Sequence, residues 1–186
     1  KYLAVFIAVA MMVTAMVPAF AAEGFGYETE AQKLNDLGLF KGTNNGFDLG
    51  GALTREQGVT MLLRLMGLED EASALSDEEA EAILADATDK DQISGWAKKN
   101  VAYAVQNEYY KGVSTSPWVL APQGALLGKD YCTLVLRAMG YTPDWNLAAS
   151  ELAQVNGLST AEAVKFNEKS LIRDDLVGIS YSTLKA

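Results

Sequence analysis

Two arginines stand where a side chain could bind a carboxylate group. Arg55 lies in the stretch Thr54-Arg55-Glu56-Gln57, and Arg173 lies in Ile172-Arg173-Asp174-Asp175. The polar and acidic residues of these stretches predict that each arginine belongs to the first turn of a helix. There a guanidinium has the positive end of the helix dipole and, we expect, unpaired backbone N–H groups beside it, which suits an acidic ligand. From spacing alone, the alternative is an ion pair between each arginine and a neighbouring acid.

The residue types that usually carry catalysis are scarce. The 186 residues include no histidine and one cysteine, Cys132, which excludes a disulfide within the chain. The four acids between Asp77 and Glu81 have no apolar neighbours that would raise a carboxyl pKa, so we do not interpret them as a glycosidase pair. The sequence therefore predicts a protein that is not an enzyme and that uses no metal or cofactor.

Residues 1–22 are typical of a secretory signal peptide. The run from Tyr2 to Phe20 is almost wholly apolar, and Ala19-Phe20-Ala21 has the small-x-small pattern of a signal-peptidase site. A membrane-spanning anchor is the alternative, since the run is nearly long enough to cross a bilayer. Pro18 just before the cleavage pattern favours removal, so we expect an exported mature protein that starts near Ala22.

The overall charge limits the choice of partner. The net charge is −9, from 15 basic and 24 acidic residues, and the basic residues form no cluster. Nucleic acids and anionic membrane surfaces both attract proteins through grouped lysines and arginines. We therefore expect no nucleic acid as a partner, and no membrane after cleavage of the signal peptide.

One helix–loop–helix plan recurs along the chain. From Gly38 to Gly67, a helix-ending glycine is followed by a Gly-rich loop and an amphipathic helix. The apolar face of that helix recurs 73 residues later: Val59, Leu62, Leu63 and Met66 match Cys132, Val135, Leu136 and Met139. A weaker copy lies a further 45 residues on, where Val177, Tyr181 and Leu184 form the corresponding face. Units of this size cannot bury an apolar face alone, so we expect the three units to close around a shared core, with Cys132 inside it.

The repeats divide the chain into segments. We expect a signal peptide at 1–22, a first repeat at 23–67, an acidic linker helix at 68–89, a second repeat at 90–141 and a degenerate third repeat at 142–186. The linker helix opens with a cap at Ser76, and its charge run predicts a solvated face. In the third repeat, Phe166 corresponds to the lone loop aromatic Phe47 of the first.

This pattern resembles the S-layer homology (SLH) domain. The motifs that carry the resemblance are Gly38-Leu39-Phe40-Lys41-Gly42, Phe47, Leu53-Thr54-Arg55-Glu56-Gln57, Leu63-Arg64-Leu65-Met66-Gly67 and Trp96-Ala97-Lys98-Lys99. The resemblance covers about residues 27–186 and is most specific in the first repeat. It implies an all-α fold, with three helix–loop–helix repeats in a pseudo-threefold arrangement around a central helical bundle.

The resemblance also implies a ligand. SLH domains bind pyruvylated secondary cell-wall polysaccharide in grooves between repeats, and the arginine of a T-R-A-E motif contacts the acidic sugar. The positions that match this motif and its surroundings are Arg55, Arg173, Thr54, Glu56, Trp96, Gly42, Gly112, Trp145 and Lys129. The second repeat departs from the pattern, since Gly128 replaces the arginine and Lys129 is then the substitute cation. For the two tryptophans, a place in the core is the alternative.

The expected function is therefore non-covalent anchoring of an exported protein at the cell surface. Two other functions stay open from the sequence. The chain could be a self-assembling S-layer subunit, with other subunits as its partners. It could also be the anchoring part of a larger envelope enzyme whose catalytic region lies outside these residues.

Overall fold

The structure, a computed structural model, describes residues 24–44 and 46–186, and over these residues the chain is mostly α-helical, as the sequence predicts. The helices are α1 (Glu28–Asp36), α2 (Arg55–Leu65), α3 (Glu69–Ser73), α4 (Asp77–Ile83), α5 (Lys98–Gln106), α6 (Gly128–Ala138), α7 (Ala148–Gln154), α8 (Thr160–Phe166) and α9 (Arg173–Leu184). A two-stranded antiparallel hairpin of β1 (Ser114–Thr115) and β2 (Trp118–Val119) follows α5. The predicted signal peptide lies outside the described residues. Within the described part, no helix is long and apolar enough to cross a membrane.

The first repeat forms the helices that its sequence predicts. Helix α1 ends just before Gly38, whose φ of +74° is a left-handed conformation that glycine adopts without strain. Helix α2 begins after Thr54, and the Gln57 side-chain oxygen accepts a hydrogen bond from the Thr54 N–H at 3.0 Å. The predicted apolar face of α2 is buried except for Met66, which is 37% exposed and directly follows the last residue of the helix.

The acidic segment at 68–89 differs from the single solvated linker helix that we expected. It forms two short helices, α3 and α4, and both pack against α5. The predicted cap at Ser76 is confirmed, because the Ser76 hydroxyl accepts from the Glu79 N–H at 3.1 Å. Ala72, Ala80 and Leu84 are fully buried, so the segment adds its apolar side to the core and turns its acids outward.

The second repeat contains α5, the hairpin and α6. The helix α6 buries Cys132, Val135 and Leu136, so the prediction that Cys132 is a small core residue is confirmed. The sequence did not predict the hairpin, because its strands are only two residues long and carry no clear alternation. The Trp118 indole N–H donates to the Lys111 carbonyl oxygen at 3.1 Å and holds the hairpin against the preceding loop.

The third repeat contains one helix more than expected. Phe166 was predicted to lie in a loop, but it is the last residue of α8 and is fully buried. The signal for this helix was the capping box Ser159-x-x-Glu162: the Glu162 carboxylate accepts from the Ser159 N–H at 2.8 Å, and the Ser159 hydroxyl accepts from the Glu162 N–H at 3.2 Å.

A ring of backbone hydrogen bonds joins the three repeats just before α2, α6 and α9. The Leu53 N–H donates to Leu171 O (3.3 Å), the Leu171 N–H donates to Leu126 O (2.8 Å), and the Leu126 N–H donates to Leu53 O (2.9 Å). All three leucines are buried. Each repeat therefore donates to one neighbour and accepts from the other, and the three helix starts lie around this ring.

Candidate functional site

The first turns of α2, α6 and α9 rest on neighbouring loops. Their leading N–H groups donate to loop carbonyl oxygens: Arg55 N to Gly124 O (3.0 Å), Gly128 N to Lys169 O (2.9 Å) and Arg173 N to Gly51 O (2.9 Å). The expectation of unpaired N–H groups beside the arginines is therefore wrong for these positions. Closing the ring of repeats brings each loop onto the next helix start and satisfies its donors. These three N–H groups are therefore not available to a ligand at the helix starts.

An open cleft of about 370 Å³ is lined mainly by the second repeat, with Arg55 from the first repeat and Trp145 from the third. It brings together three of the residues predicted from the sequence, Arg55, Gly112 and Trp145, although they come from distant parts of the chain. The rest of its lining is Tyr110, Val113, Leu126, Leu127, Asp130, Thr133, Leu134 and Arg137. A concave site with an exposed aromatic ring, apolar walls and a few charged groups is suited to a saccharide that bears a charge.

Asp130 is the centre of the polar contacts in this cleft. One of its carboxylate oxygens lies 3.2 Å from Arg55 Nη2, and the other accepts from Trp145 Nε1 at 2.8 Å. The same carboxylate accepts from the Leu127 N–H at 3.1 Å. The Arg55 and Asp130 side chains are 16% and 12% exposed, respectively, so this ion pair is partly shielded from water. The pair supports the ion-pair alternative for Arg55, although with an acid from another repeat instead of a sequence neighbour.

Trp145 and Lys129 are in contact with each other. The Lys129 ammonium lies 3.8 Å from the centroid of the Trp145 ring and pairs with Glu168 at 2.7 Å. Its charge is therefore already shared between a carboxylate and an aromatic face. Trp145 remains 44% exposed and Trp96 is 57% exposed, so the core alternative is wrong for both tryptophans.

The glycine of the second loop allows a close backbone approach. Gly112 has a φ of +78°, and a Cβ atom there would overlap the carbonyl group of Val119. Any other residue would push the loop away from β2, and the loop forms one wall of the cleft. Gly42 has a similar place in the first repeat, where a Cβ atom would lie 2.8 Å from Gly46 O.

Arg173 binds protein carbonyl groups. Its Nε donates to Phe47 O and its Nη2 donates to Lys41 O, both at 2.8 Å. The guanidinium also lies 4.7 Å from the centroid of the Phe40 ring. Burial lowers the pKa of Arg173, and nearby Asp48 acts in the opposite direction. The side chain thus fastens the start of α9 to the Gly42 loop of the first repeat.

Glu56 is a buried connector between the repeats. It is 2% exposed, and its two oxygens accept from the Ser94 hydroxyl (2.6 Å) and the Ser94 N–H (3.0 Å). Asp174 has the corresponding place in the third repeat and accepts from the N–H groups of Gly26 (3.1 Å) and Tyr27 (2.9 Å). Both carboxylates hold the chain that leads into the next helix. Their oxygens are consequently occupied.

Trp96 lies outside the cleft, and Thr54 is a packing residue. Trp96 lines a separate groove of about 430 Å³, in which Lys98 pairs with Glu81 and Lys99 lies 3.4 Å from Asp77. The Thr54 hydroxyl is buried and has no hydrogen-bond partner among the described residues.

Arg137 is the cleft residue that was overlooked. It lies in the last turn of α6 and is half-buried. Among the described residues its side chain makes one weak hydrogen bond, from Nη1 to Tyr109 O at 3.5 Å. Burial lowers its pKa, while Glu108 acts in the opposite direction. The signal is present in the sequence, because Arg137 stands 73 residues after Arg64 and matches it in the repeat.

No protein-family model matches the chain, and no curated protein matches it. Among residues 24–44 and 46–186, no group of three or more histidine, cysteine, aspartate or glutamate side chains is arranged to hold a metal ion. The geometry of the cleft is accordingly the observation from which a function can be argued.

Proposed function

We propose that this chain is an SLH-type module that anchors an exported protein by binding an acidic cell-wall polysaccharide. The observation that carries the proposal is the cleft that the second repeat forms with Arg55 of the first repeat and Trp145 of the third. It places Arg55, Gly112 and Trp145, three residues selected by the motif resemblance, around one concave surface. A sugar ring can stack on the exposed indole while its carboxylate meets a guanidinium.

The ring at Leu53, Leu126 and Leu171 supports the three-repeat part of the proposal. Equivalent positions of the three repeats make equivalent hydrogen bonds, and each helix start rests on the loop of the following repeat. We propose that this is the pseudo-threefold SLH arrangement around a central bundle, with repeats at 23–67, 90–141 and 142–186. Glu56 and Asp174, in equivalent connecting roles, support the same assignment.

The charge distribution supports an acidic polymer as the ligand. The chain has a net charge of −9, so an acidic polysaccharide is repelled from most of its surface. The cleft is an exception, because it contains two arginines and one aspartate. Binding should then weaken as the ionic strength rises.

Sedimentation with purified cell-wall sacculi tests the proposal. The protein without residues 1–22 should bind walls that carry pyruvylated polysaccharide, and mild acid treatment that removes the pyruvate groups should abolish binding. The double variant Arg55→Ala/Trp145→Ala should lose binding, whereas Lys90→Ala, a charge change outside the cleft, should retain it.

Two results would contradict anchoring. Binding that is the same before and after pyruvate removal would overturn the acidic-sugar ligand. Assembly into sheets at increasing protein concentration without any wall, together with no binding to sacculi, would instead favour a lattice subunit. Analytical ultracentrifugation of the same preparation measures that assembly.

A further inference from the structure

We propose that the molecule has one carboxylate-binding site, and that Arg137 is the residue that binds the ligand's carboxylate. This inference rests on the proposed function and deepens it. Each junction between repeats offers two positions for a cation: the first residue of one repeat's last helix, and the last turn of the next repeat's last helix. The occupants of these positions differ among the three junctions.

Both cations at the junction of the third and first repeats are already satisfied. Arg173 donates to two loop carbonyl oxygens at 2.8 Å. Arg64 pairs with Glu69, with Nε at 2.8 Å and Nη2 at 2.7 Å from the same carboxylate oxygen. Lys41 occupies the other oxygen of Glu69 at 3.0 Å. A ligand carboxylate would have to displace a protein carboxylate here.

The junction of the second and third repeats has no arginine at either position. Gly128 stands at the helix start, and a Cβ atom there would overlap the Phe166 carbonyl group. Ser182 stands at the last turn, and its hydroxyl donates to Glu162 at 3.0 Å. Lys129, the substitute expected from the sequence, is 6% exposed and paired with Glu168.

At the junction of the first and second repeats, Arg55 is paired and Arg137 is not. Arg55 lies 3.2 Å from Asp130. Arg137 has no carboxylate within 4.0 Å among the described residues. Its equivalent in the first repeat, Arg64, pairs with Glu69. The residue that corresponds to Glu69 in the second repeat is Thr142, which has no carboxylate. The nearby acid Glu108 is paired with Lys111 at 3.0 Å.

A ligand carboxylate gains most binding free energy at a half-buried guanidinium that is not already paired with a carboxylate of the protein. Arg137 has lost part of its hydration because it is half-buried, and burial lowers its pKa. Its hydrogen bond to Tyr109 O is long at 3.5 Å. A carboxylate can form charge-assisted bonds with the planar fork without breaking an existing ion pair. Arg55 then acts as a positioning residue, since it holds Asp130 and through it the Trp145 indole.

Three variants of the protein without residues 1–22 test this inference by calorimetric titration with short fragments of pyruvylated wall polysaccharide. Arg137→Gln should weaken binding about 10- to 100-fold, the effect expected for losing a charge-assisted hydrogen bond. Thr142→Glu places a carboxylate at the position of Glu69 and should weaken binding similarly while Arg137 is still present. Arg64→Gln, the same change at the equivalent position, should leave affinity unchanged, and the stoichiometry should be one fragment per chain.

The outcomes separate this inference from the proposed function. If the unsubstituted protein binds and Arg137→Gln binds equally well, the role of Arg137 is overturned while wall binding stands. A stoichiometry of two or three overturns the single site. If the unsubstituted protein does not bind the fragments or the sacculi, the proposed function fails, and this inference fails with it. Far-UV circular dichroism of each variant checks that the fold is retained. We expect Thr142→Glu to keep the fold because Thr142 is exposed.

Discussion

Glu56, Lys129 and Asp174 occupy the same helical position in three repeats, yet they make different kinds of contact. Glu56 and Asp174 each bind backbone N–H groups that lead into another repeat, and Lys129 instead contacts the Trp145 ring and Glu168. The position is buried in every case. The residue at this position joins two repeats. An acid does so by accepting from backbone N–H groups, and the lysine does so by contacting an aromatic ring and a carboxylate.

Thr54 and Thr60 provide a matched pair of buried hydroxyl groups on α2 and its cap. The Thr54 hydroxyl has no partner among the described residues, and Leu127 and Ile172 stand at the equivalent positions. Thr54→Val should therefore be neutral or stabilising by up to about 1 kcal/mol, because it removes an unsatisfied polar group. Urea unfolding monitored by circular dichroism measures the change.

Thr60→Val is the control for that substitution. The Thr60 hydroxyl donates to Glu56 O at 3.0 Å and accepts from Asn100 Nδ2 at 3.2 Å, so its removal should cost about 1–2 kcal/mol. Equal losses for both variants would contradict the assignment of Thr54 as a packing residue.

Single residues show where sequence reasoning succeeded and where it stopped. Cys132 was placed correctly because a helical face is a local pattern that the 3.6-residue period reveals. The partner of Arg55 was not predicted, because Asp130 belongs to another repeat. A contact between repeats depends on how the chain closes. Glu56 was predicted to be a ligand-binding residue. Its actual partner, Ser94, belongs to another repeat, and no local pattern in the sequence shows that the two are in contact.

At the scale of elements, the start of α6 explains why the second repeat lacks an arginine. A Cβ atom at Gly128 would overlap the Phe166 carbonyl group, which is backbone at the end of α8 and cannot rotate away. The extra helix of the third repeat therefore occupies the space that a side chain at this position needs. Sequence comparison of the repeats revealed the glycine but not its cause, because α8 itself was not predicted.

Substituting that glycine should be costly for stability. Gly128→Ala forces α6 away from α8 and should destabilise the protein by about 2–3 kcal/mol, in the range of overpacking in a rigid site. Gly95→Ala is the matched control, since no described residue other than its two chain neighbours has an atom within 4 Å of the added Cβ. It should change stability by less than about 0.5 kcal/mol. Chemical denaturation compares the two. A harmless Gly128→Ala would show that α8 yields, and that an arginine could be restored there.

The junction of α2 and α3 should respond to acid. The Arg64 guanidinium holds the pKa of the Glu69 carboxyl below its usual range; burial opposes this shift, and Lys41 adds to it. A lowered pKa stabilises the fold at pH values above the pKa of the unfolded chain, about 4.3, and this stability is lost as the pH falls through the lower folded value.

Glu69→Gln should therefore cost about 0.5–1 kcal/mol at pH 7, a modest value because the side chain is 27% exposed. The difference from the unsubstituted protein should shrink as the pH falls below about 4. Glu71→Gln, an exposed acid on the same helix with no ion pair among the described residues, should follow the unsubstituted protein at every pH. Thermal melts between pH 3 and pH 7 supply the comparison, and a constant Glu69→Gln deficit across that range would contradict it.

At the scale of the whole molecule, the ring at Leu53, Leu126 and Leu171 makes the repeats interdependent. Linear repeat arrays can unfold from their ends, because each unit contacts only its neighbours along the chain. Here the third repeat bonds to both others, and α1 packs against α9. The sequence predicted that three units close around a shared core, but not the hydrogen bonds of this ring, since backbone hydrogen bonds carry no side-chain signature.

We expect a single unfolding transition as a result. Circular dichroism, tryptophan fluorescence and the reactivity of the Cys132 thiol should give the same midpoint in urea, the thiol being protected until the fold opens because burial raises its pKa to about 12. A chain that ends at Gly140 leaves the Leu53 N–H and the Leu126 carbonyl without their partners, and it should show no cooperative transition. Separate midpoints for the three probes would contradict this coupling.

The closed ring has a mechanical consequence. Tension applied at the end of α9 acts on the third repeat, whose removal breaks two of the three ring bonds together with the contacts of Asp174 to Gly26 and Tyr27. These bonds share the load, whereas the units of a linear array would yield one after another. A protein held at a wall through such a module would resist shear up to one threshold force and then release in a single step.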